Sequence, residues 1–408
     1  MMHNLYRQIN TPLLSLFLFT LGNGFLSTLT ILRSHHENIS TSIIGLMTAF
    51  FYLGLVLGSF KIERMIRRIG HIRTFSAFAS ILTITALMQA VYFDVYLWLV
   101  LRLITGFATA VLYVVIESWL LVISRSDNRG KIVAIYMVVL YLGQALSQSL
   151  VATVEVSSIM PFILIGITSS LSVIPLAMTN IASPRLEEPT TLNLVKMIKA
   201  TTSGVLACFT SGLVLGPIYG LLPLYLIDRT KEQDSVGLFM FLVIFGGMLL
   251  QYPVGKISDY LERRLVLLSL SILAGVSSLC IMLSVNYYWL LGFLVFIFGG
   301  LTFTLYPVSI SHSCDSLEHK DITSGTQALL LFYSIGAVIG PLLAPLFMKV
   351  FGSDGLFIYF IMLFSVLTIL LCWRKTIKAN VPQEEHFFPI PTTTPVMSEI
   401  DPRAENIN

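Results

Sequence analysis

Two residues among the 408 stand where side chains of their kind are costly: Arg102 and Glu117 both fall inside one long apolar run that begins near Val95. A charged side chain at the centre of a bilayer costs about 2.5 to 3.5 kcal/mol even on insertion scales, so such residues mark sites of function or firmly paired networks. Fifteen positions apart on a helix, they are separated by roughly 22 Å along the axis and cannot pair directly. At about 100° per residue their directions differ by only about 60°, and Gly106, Thr109 and Tyr113 fall in the same sector. One stripe of this helix therefore faces something wet or polar. Its chemistry would be proton exchange at Glu117 and a fixed local field from Arg102; a static polar network, or Glu117 snorkelling to an interface, would use the same residues. Comparable stripes run through Thr20, Asn23, Ser27 and Thr30, through Tyr141, Gln144 and Gln148, through Thr210, Tyr219 and Tyr225, and through Thr302, Tyr306 and Ser309. Together they suit a central aqueous cavity, although any single Ser or Thr among them serves equally well as interhelical glue.

Other chemistry is excluded. Gly255-Lys256 is followed by Ile257, so there is no phosphate-binding G-x-x-x-x-G-K-[ST] loop, and any transport must be secondary. Neither H-E-x-x-H nor G-x-S-x-G occurs, and His312 with Asp315 reads as a solvated loop pair rather than a catalytic dyad. Cys208, Cys280, Cys314 and Cys372 are scattered, implying neither a disulfide framework nor a metal site. The Asn38-Ile39-Ser40 sequon falls in a very short loop and is read as incidental. No enzyme activity, metal or cofactor is expected.

The elements that must position these stripes are apolar helices. Charged residues make up only 12% of the chain against 55% hydrophobic, with a mean hydropathy of +0.83; soluble proteins carry about 25% charged residues. At about 20 residues per span, the length holds roughly a dozen spans and no sizeable extramembrane domain. A net charge of +3 is too small to suggest a nucleic-acid partner. Apolar runs predict twelve transmembrane helices, starting near Pro12, Ser42, Thr74, Val95, Ile132, Met160, Ala200, Ser235, Leu265, Tyr288, Ile322 and Gly355. The first is too long for a signal-peptide core and should remain on the protein.

The polar stretch 182–199, with Ser183-Pro184-Arg185, divides the spans six and six, giving bundles at 1–181 and 200–378 joined by a linker. Sliding the chain by 192 or 193 residues brings Gly54 onto Gly246, Leu112-Tyr113 onto Leu305-Tyr306 and Gly143 onto Gly336. Weak internal symmetry of this kind predicts two like bundles related by a pseudo-two-fold axis around a midplane site. Only Arg33, Arg229, Lys231 and Lys349 fall in one set of alternate loops, and all other loop and terminal cations fall in the opposite set, which places both termini and the linker in the cytoplasm. From Ala379 onward, five prolines, Thr392-Thr393-Thr394 and several acids read as a disordered cytoplasmic tail, 379–408.

The turn Gly255-Lys256-Ile257-Ser258-Asp259-Tyr260-Leu261-Glu262-Arg263-Arg264 resembles the loop motif G-x-x-x-D-[RK]-x-G-[RK]-[RK] of the major facilitator superfamily, with Tyr260 and Glu262 departing from it. An eroded copy lies in the first half, where Glu63 takes the Gly slot and Arg67 the Asp slot, while Arg68, Gly70 and Arg73 are retained. Arg102-Leu103-Ile104-Thr105-Gly106 resembles the R-x-x-x-G motif of proton-coupled members, and Gly336-Ala337-Val338-Ile339-Gly340-Pro341 resembles the antiporter motif G-x-x-x-G-P better than Gly143-Gln144-Ala145-Leu146-Ser147 does. More closely, Leu305-Tyr306-Pro307-Val308, Gln327-Ala328-Leu329-Leu330-Leu331 and Tyr225 after Gly220-Leu221-Leu222-Pro223-Leu224 are similar to the YcaD-type bacterial inner-membrane transporters. The resemblance implies an inner-membrane, monomeric secondary transporter of a small molecule in the lipid bilayer. It further implies alternating access, spans 1, 4, 7 and 10 lining the path, coupling to protons, and export in preference to import. It also implies that Gly255, Asp259, Arg263 and Arg264 form a gate latch, with the first-half turn a weaker counterpart. The competing reading is a membrane receptor or scaffold that keeps this fold without transport.

Overall fold

The computed structural model describes residues 2–61, 63–124, 128–178, 197–198, 200–284, 287–317, 321–377, 386–401 and 403. In the first half of the chain these form α1 (Met2–His36), α2 (Thr41–Lys61), the short α3 (Glu63–Ile69), α4 (His71–Val91), α5 (Val95–Ile123), α6 (Arg129–Ser149), α7 (Met160–Leu171) and α8 (Val173–Ala177). The second half supplies α9 (Thr202–Thr230), α10 (Gln233–Tyr260), α11 (Arg263–Leu283), α12 (Tyr288–Cys314), α13 (Ile322–Phe351) and α14 (Gly355–Ile377). Among the described residues, eleven apolar stretches are long enough to span a membrane, the last of them, Ile322–Arg374, holding both α13 and α14. Leu273, Phe293, Leu346 and many other large apolar side chains point outward. Such a surface is a liability in water and suits lipid.

Local signals set the helix ends. Asp94 caps α5, its carboxylate accepting from the Leu97 N–H at 2.8 Å. Lys231 stops α9 in a left-handed conformation, φ 59°. Observed helix starts fall within three residues of the expected ones from the second span on, whereas α1 begins ten residues earlier than its apolar run. The expected sixth span is broken at Ser172 into α7 and α8. Of the linker, 182–196 and 199 lie outside the described residues.

Glycines let the helices cross closely. A Cβ on Gly106 of α5 would run into the Phe51 carbonyl of α2, so these two backbones touch. Gly336 and Gly340 of α13 meet the Phe209 and Leu213 carbonyls of α9 in the same way. Beyond α2 on α5 and α9 on α13, the main contacts within each half are α1 on α6 and α10 on α12; between the halves they are α2 with α13 and α6 with α10.

The tail departs from expectation. Residues 386–401 and 403 are not loose: they pass between the halves at the end of the bundle where α1 begins, and the 3-10 turn Pro395–Ile400 packs against both α5 and α13. Phe388, Ile390, Val396 and Met397 are buried. Composition misleads here because it averages over the whole segment, whereas these four large apolar side chains find a surface to bury against in the cleft between the halves. The rest of the expected tail, 379–385, 402 and 404–408, lies outside the described residues.

Candidate functional site

The face where α1 begins is here called the near face, and the one bearing the turns after α1 and α9 the far face. At the far face the halves are joined. The Gln233 amide donates to the Val151 and Val154 carbonyls at 2.5 and 2.6 Å, His35 stands 3.6 Å from Asp228, and Gly45 of α2 and Gly220 of α9 press against Pro341 and Thr48 across the divide. Below this seal lies a cavity of about 100 Å³, lined at its near end by Thr392 and Thr393 of the tail.

The cavity wall is built from both halves. Asn23 and Ser27 of α1, Thr109 and Tyr113 of α5, Tyr141, Gln144 and Gln148 of α6, and Tyr219 of α9 all line it, so the structure brings these eight expected residues together. They restrain each other. The Thr109 hydroxyl donates to Asn23 Oδ1 at 3.2 Å, Thr28 donates to Gln148 Oε1 at 2.7 Å, and the Tyr219 hydroxyl crosses between the halves to Gln144 Oε1 at 2.9 Å. Sequence reasoning left out the rings of Phe51, Tyr52, Phe303 and Tyr333, which share the lining; a polar-stripe search passes over them because an aromatic on an apolar helix looks like packing. With Leu55, Leu140 and Leu215 beside them, the wall is neutral: amide, hydroxyl, aromatic ring and aliphatic side chain.

Charge sits behind it, at opposite ends. Arg102, 3% exposed, lies with its guanidinium 4.5 Å over the Phe51 ring and donates to Ser27 Oγ at 3.4 Å, while its Nη1 has no hydrogen-bond partner among the described residues. Glu117 is fully buried near the other end, accepting from the Tyr136 hydroxyl at 2.5 Å and from the Thr393 and Thr394 hydroxyls of the tail. A buried carboxylate needs such donors, because an unpaired buried charge is prohibitively unfavourable. Tyr306 is buried outside the lining, its ring 5.0 Å from that of Tyr333 and its hydroxyl without a partner among the described residues.

The near-face turn of the second half is a compact ion cluster. Arg263, 1% exposed, donates to Asp315 at 2.5 Å, to the Ser311 carbonyl at 2.9 Å and to Asp259 at 3.3 Å. Asp315 is therefore not the solvated loop acid expected: its side chain is 4% exposed and paired with Arg263, which reaches it from the start of α11. Arg264 is also buried, and Gly255 leaves room for the Phe387 ring, where a Cβ would collide. Asp259 has a second ligand that the sequence does not announce, the Phe387 backbone N–H at 2.6 Å. In the first half, Arg68 and Arg73 are exposed, Gly70 holds φ 89° at the turn into α4, and the side chain of Arg67 lies outside the described residues.

Comparison with known proteins agrees with this architecture. The family model described as Major Facilitator Superfamily matches residues 13–231 and 204–399. The uncharacterized MFS-type transporter YcaD of Escherichia coli O45:K1 (strain S88 / ExPEC) is 32% identical over 356 residues, covering 86% of this chain and 92% of the relative. Among solved structures, the nucleoside transporter NupG superimposes with a TM-score of 0.72 at 15% identity, over 91% of this chain and 100% of that one. A D-xylose-proton symporter gives 0.73 at 14% identity, over 93% and 99%. Helices, cavity between halves, near-face loop motif and sequence relatives agree: the chain belongs to the Major Facilitator Superfamily, a multi-pass membrane transporter of a small molecule rather than an enzyme.

Proposed function

We propose that this protein moves an uncharged small molecule across the bacterial inner membrane by alternating access, coupled to protons at Glu117, with the near face in the cytoplasm. The observation behind this reading is the placement of Arg102 and Glu117, both buried in α5 at opposite ends of a neutral, two-sided cavity. The bias of loop cations to the near face supports the orientation. Pairing α2 with α5 and α1 with α6, against α10 with α12 and α9 with α13, supports two six-helix bundles related by a pseudo-two-fold axis, twelve spans in all. With the far face sealed, the conformation described corresponds to the cytoplasm-facing half of the cycle. Export is favoured over import by the resemblance of Arg102 to Gly106 and of Gly336 to Pro341 to motifs of proton-coupled exporters. The unit is a monomer, since the cavity is complete within one chain.

Glu117→Gln tests the coupling. In liposomes loaded with a pH-sensitive dye and screened against a panel of neutral polar compounds, the unmodified protein should give solute-dependent proton movement. The variant should keep its fold and lose that movement at least tenfold. Proton movement of undiminished size in Glu117→Gln would remove Glu117 from the coupling site.

A further inference from the structure

Besides packing on α5 and α13, the tail sets hydroxyls against the cavity and against Glu117. Resting on the reading of the cavity as the solute path, we infer that 387–403 is a tethered competitor for it. Its Thr393 and Thr394 hydroxyls stand where an uncharged, hydroxyl-bearing solute binds.

Glu117 is the first support. An ionised carboxylate is acceptor-only, and here its two oxygens take three O–H donors, two of them from the tail. When the tail leaves, Tyr136 alone remains of those three, and a solute offering hydroxyls restores what is lost. Hydroxyl donors serve this carboxylate without bringing a second charge to be desolvated, which an amine would do.

Space is the second support. The cavity measures about 100 Å³, whereas pockets for small organic ligands measure about 300 to 1,000 Å³. Thr392 and Thr393 line this volume, so a solute larger than it must take the place of the tail.

The third support is how the tail is held. Besides the Pro395–Ile400 turn packed on α5 and α13, its ends are anchored outside the cavity. At one end the Phe387 N–H binds Asp259 and the Phe388 ring lies against Gly130 of α6. At the other, Asp401 and Arg403 pair at 2.7 Å, and Arg403 Nη1 donates to Ser311 Oγ of α12 at 3.1 Å. These anchors involve α6, α10 and α12, elements from both halves, so any relative movement of the halves works against the tail. A competitor of this kind lowers apparent solute affinity by the fraction of time it is bound.

Cys314, 3% exposed and beside Asp401 and Arg403, reports tail release directly. In full-length protein carrying Cys280→Ser and Cys372→Ser, modification of Cys314 by a water-soluble maleimide is followed by mass spectrometry in detergent. The substitutions Thr393→Asp with Thr394→Asp, which set carboxylates against Glu117, should speed modification at least tenfold. Phe388→Asp, remote from Glu117, should do the same. A synthetic peptide of residues 386–403 should return the Thr393→Asp/Thr394→Asp protein to the slow rate, and the same peptide with valine at 393 and 394 should not. Unchanged rates in both variants, or equal protection by both peptides, would overturn the proposal. No gradient or solute movement enters these measurements, so a protein that shows peptide protection yet moves no solute would fail the transport reading alone.

Discussion

Glu117 and Arg102 solve the problem of a buried charge differently. Glu117 collects three hydroxyl donors, whereas Arg102 lies on the face of Phe51 with its Nη1 unpartnered among the described residues. Hydrogen bonds to a charged group contribute about 1.5 to 3 kcal/mol each, so Thr393 and Thr394 together hold the tail firmly but reversibly. Both charged residues were legible in the sequence, because the cost of ionisable groups in an apolar run singles them out without any structure. Their partners were not. The Phe51 ring and the tail hydroxyls come from segments 51 and 276 residues away from the charges they meet, and no local spacing relates them. A guanidinium suits its place on Phe51 by being planar and weakly hydrated, which an ammonium is not. Arg102→Lys should therefore leave the overall charge intact yet reduce solute-driven proton movement at least tenfold in the dye-loaded liposomes. Full activity in Arg102→Lys would show that only the charge matters.

At the scale of elements, glycine contacts and one ion cluster fix how helices meet. Gly106→Ala pushes a methyl group into the Phe51 backbone, which cannot rotate aside, and overpacking of this kind costs about 1 to 3 kcal/mol. Gly275→Ala, whose new atom would rest 3.5 Å from Phe364 Cβ, is the matched control. Thermal unfolding in detergent should show a lowered midpoint for Gly106→Ala and little change for Gly275→Ala; equal midpoints would contradict close packing of α2 on α5. The second-half turn makes a different prediction. Asp259 links Arg263 to the Phe387 N–H, so Asp259→Asn should loosen both the turn and the tail, slowing the cycle while speeding maleimide access to Cys314. Arg67→Gln should have little effect on either. Equal changes from the two substitutions would contradict an asymmetric latch. The helices themselves were readable from apolar period and loop charge, down to starts within three residues for most of them. The role of Asp315 was not, since an acid in a turn looks solvated until the distant Arg263 is known to reach it.

The whole molecule is a bundle joined at one face by contacts between its halves, with its own tail packed between them at the other. The family resemblance rests on motifs that keep their residues in register, whereas the packing of the tail is not legible in its composition, which reports what a segment can bury alone and not what the cleft between the halves lets it bury. If the halves rock about the cavity, the far-face seal must open once in every cycle. Gln233 donates to the Val154 carbonyl across that seal, which puts the two residues within reach of a short bifunctional thiol reagent once both are cysteines. The deciding measurement uses Gln233→Cys with Val154→Cys in a chain freed of its native cysteines, assayed for solute-driven proton movement in dye-loaded liposomes. Alternating access predicts normal movement before treatment, near-complete loss after cross-linking by a reagent with a reducible spacer, and recovery when the spacer is cleaved. Undiminished movement through the cross-linked protein would contradict the account.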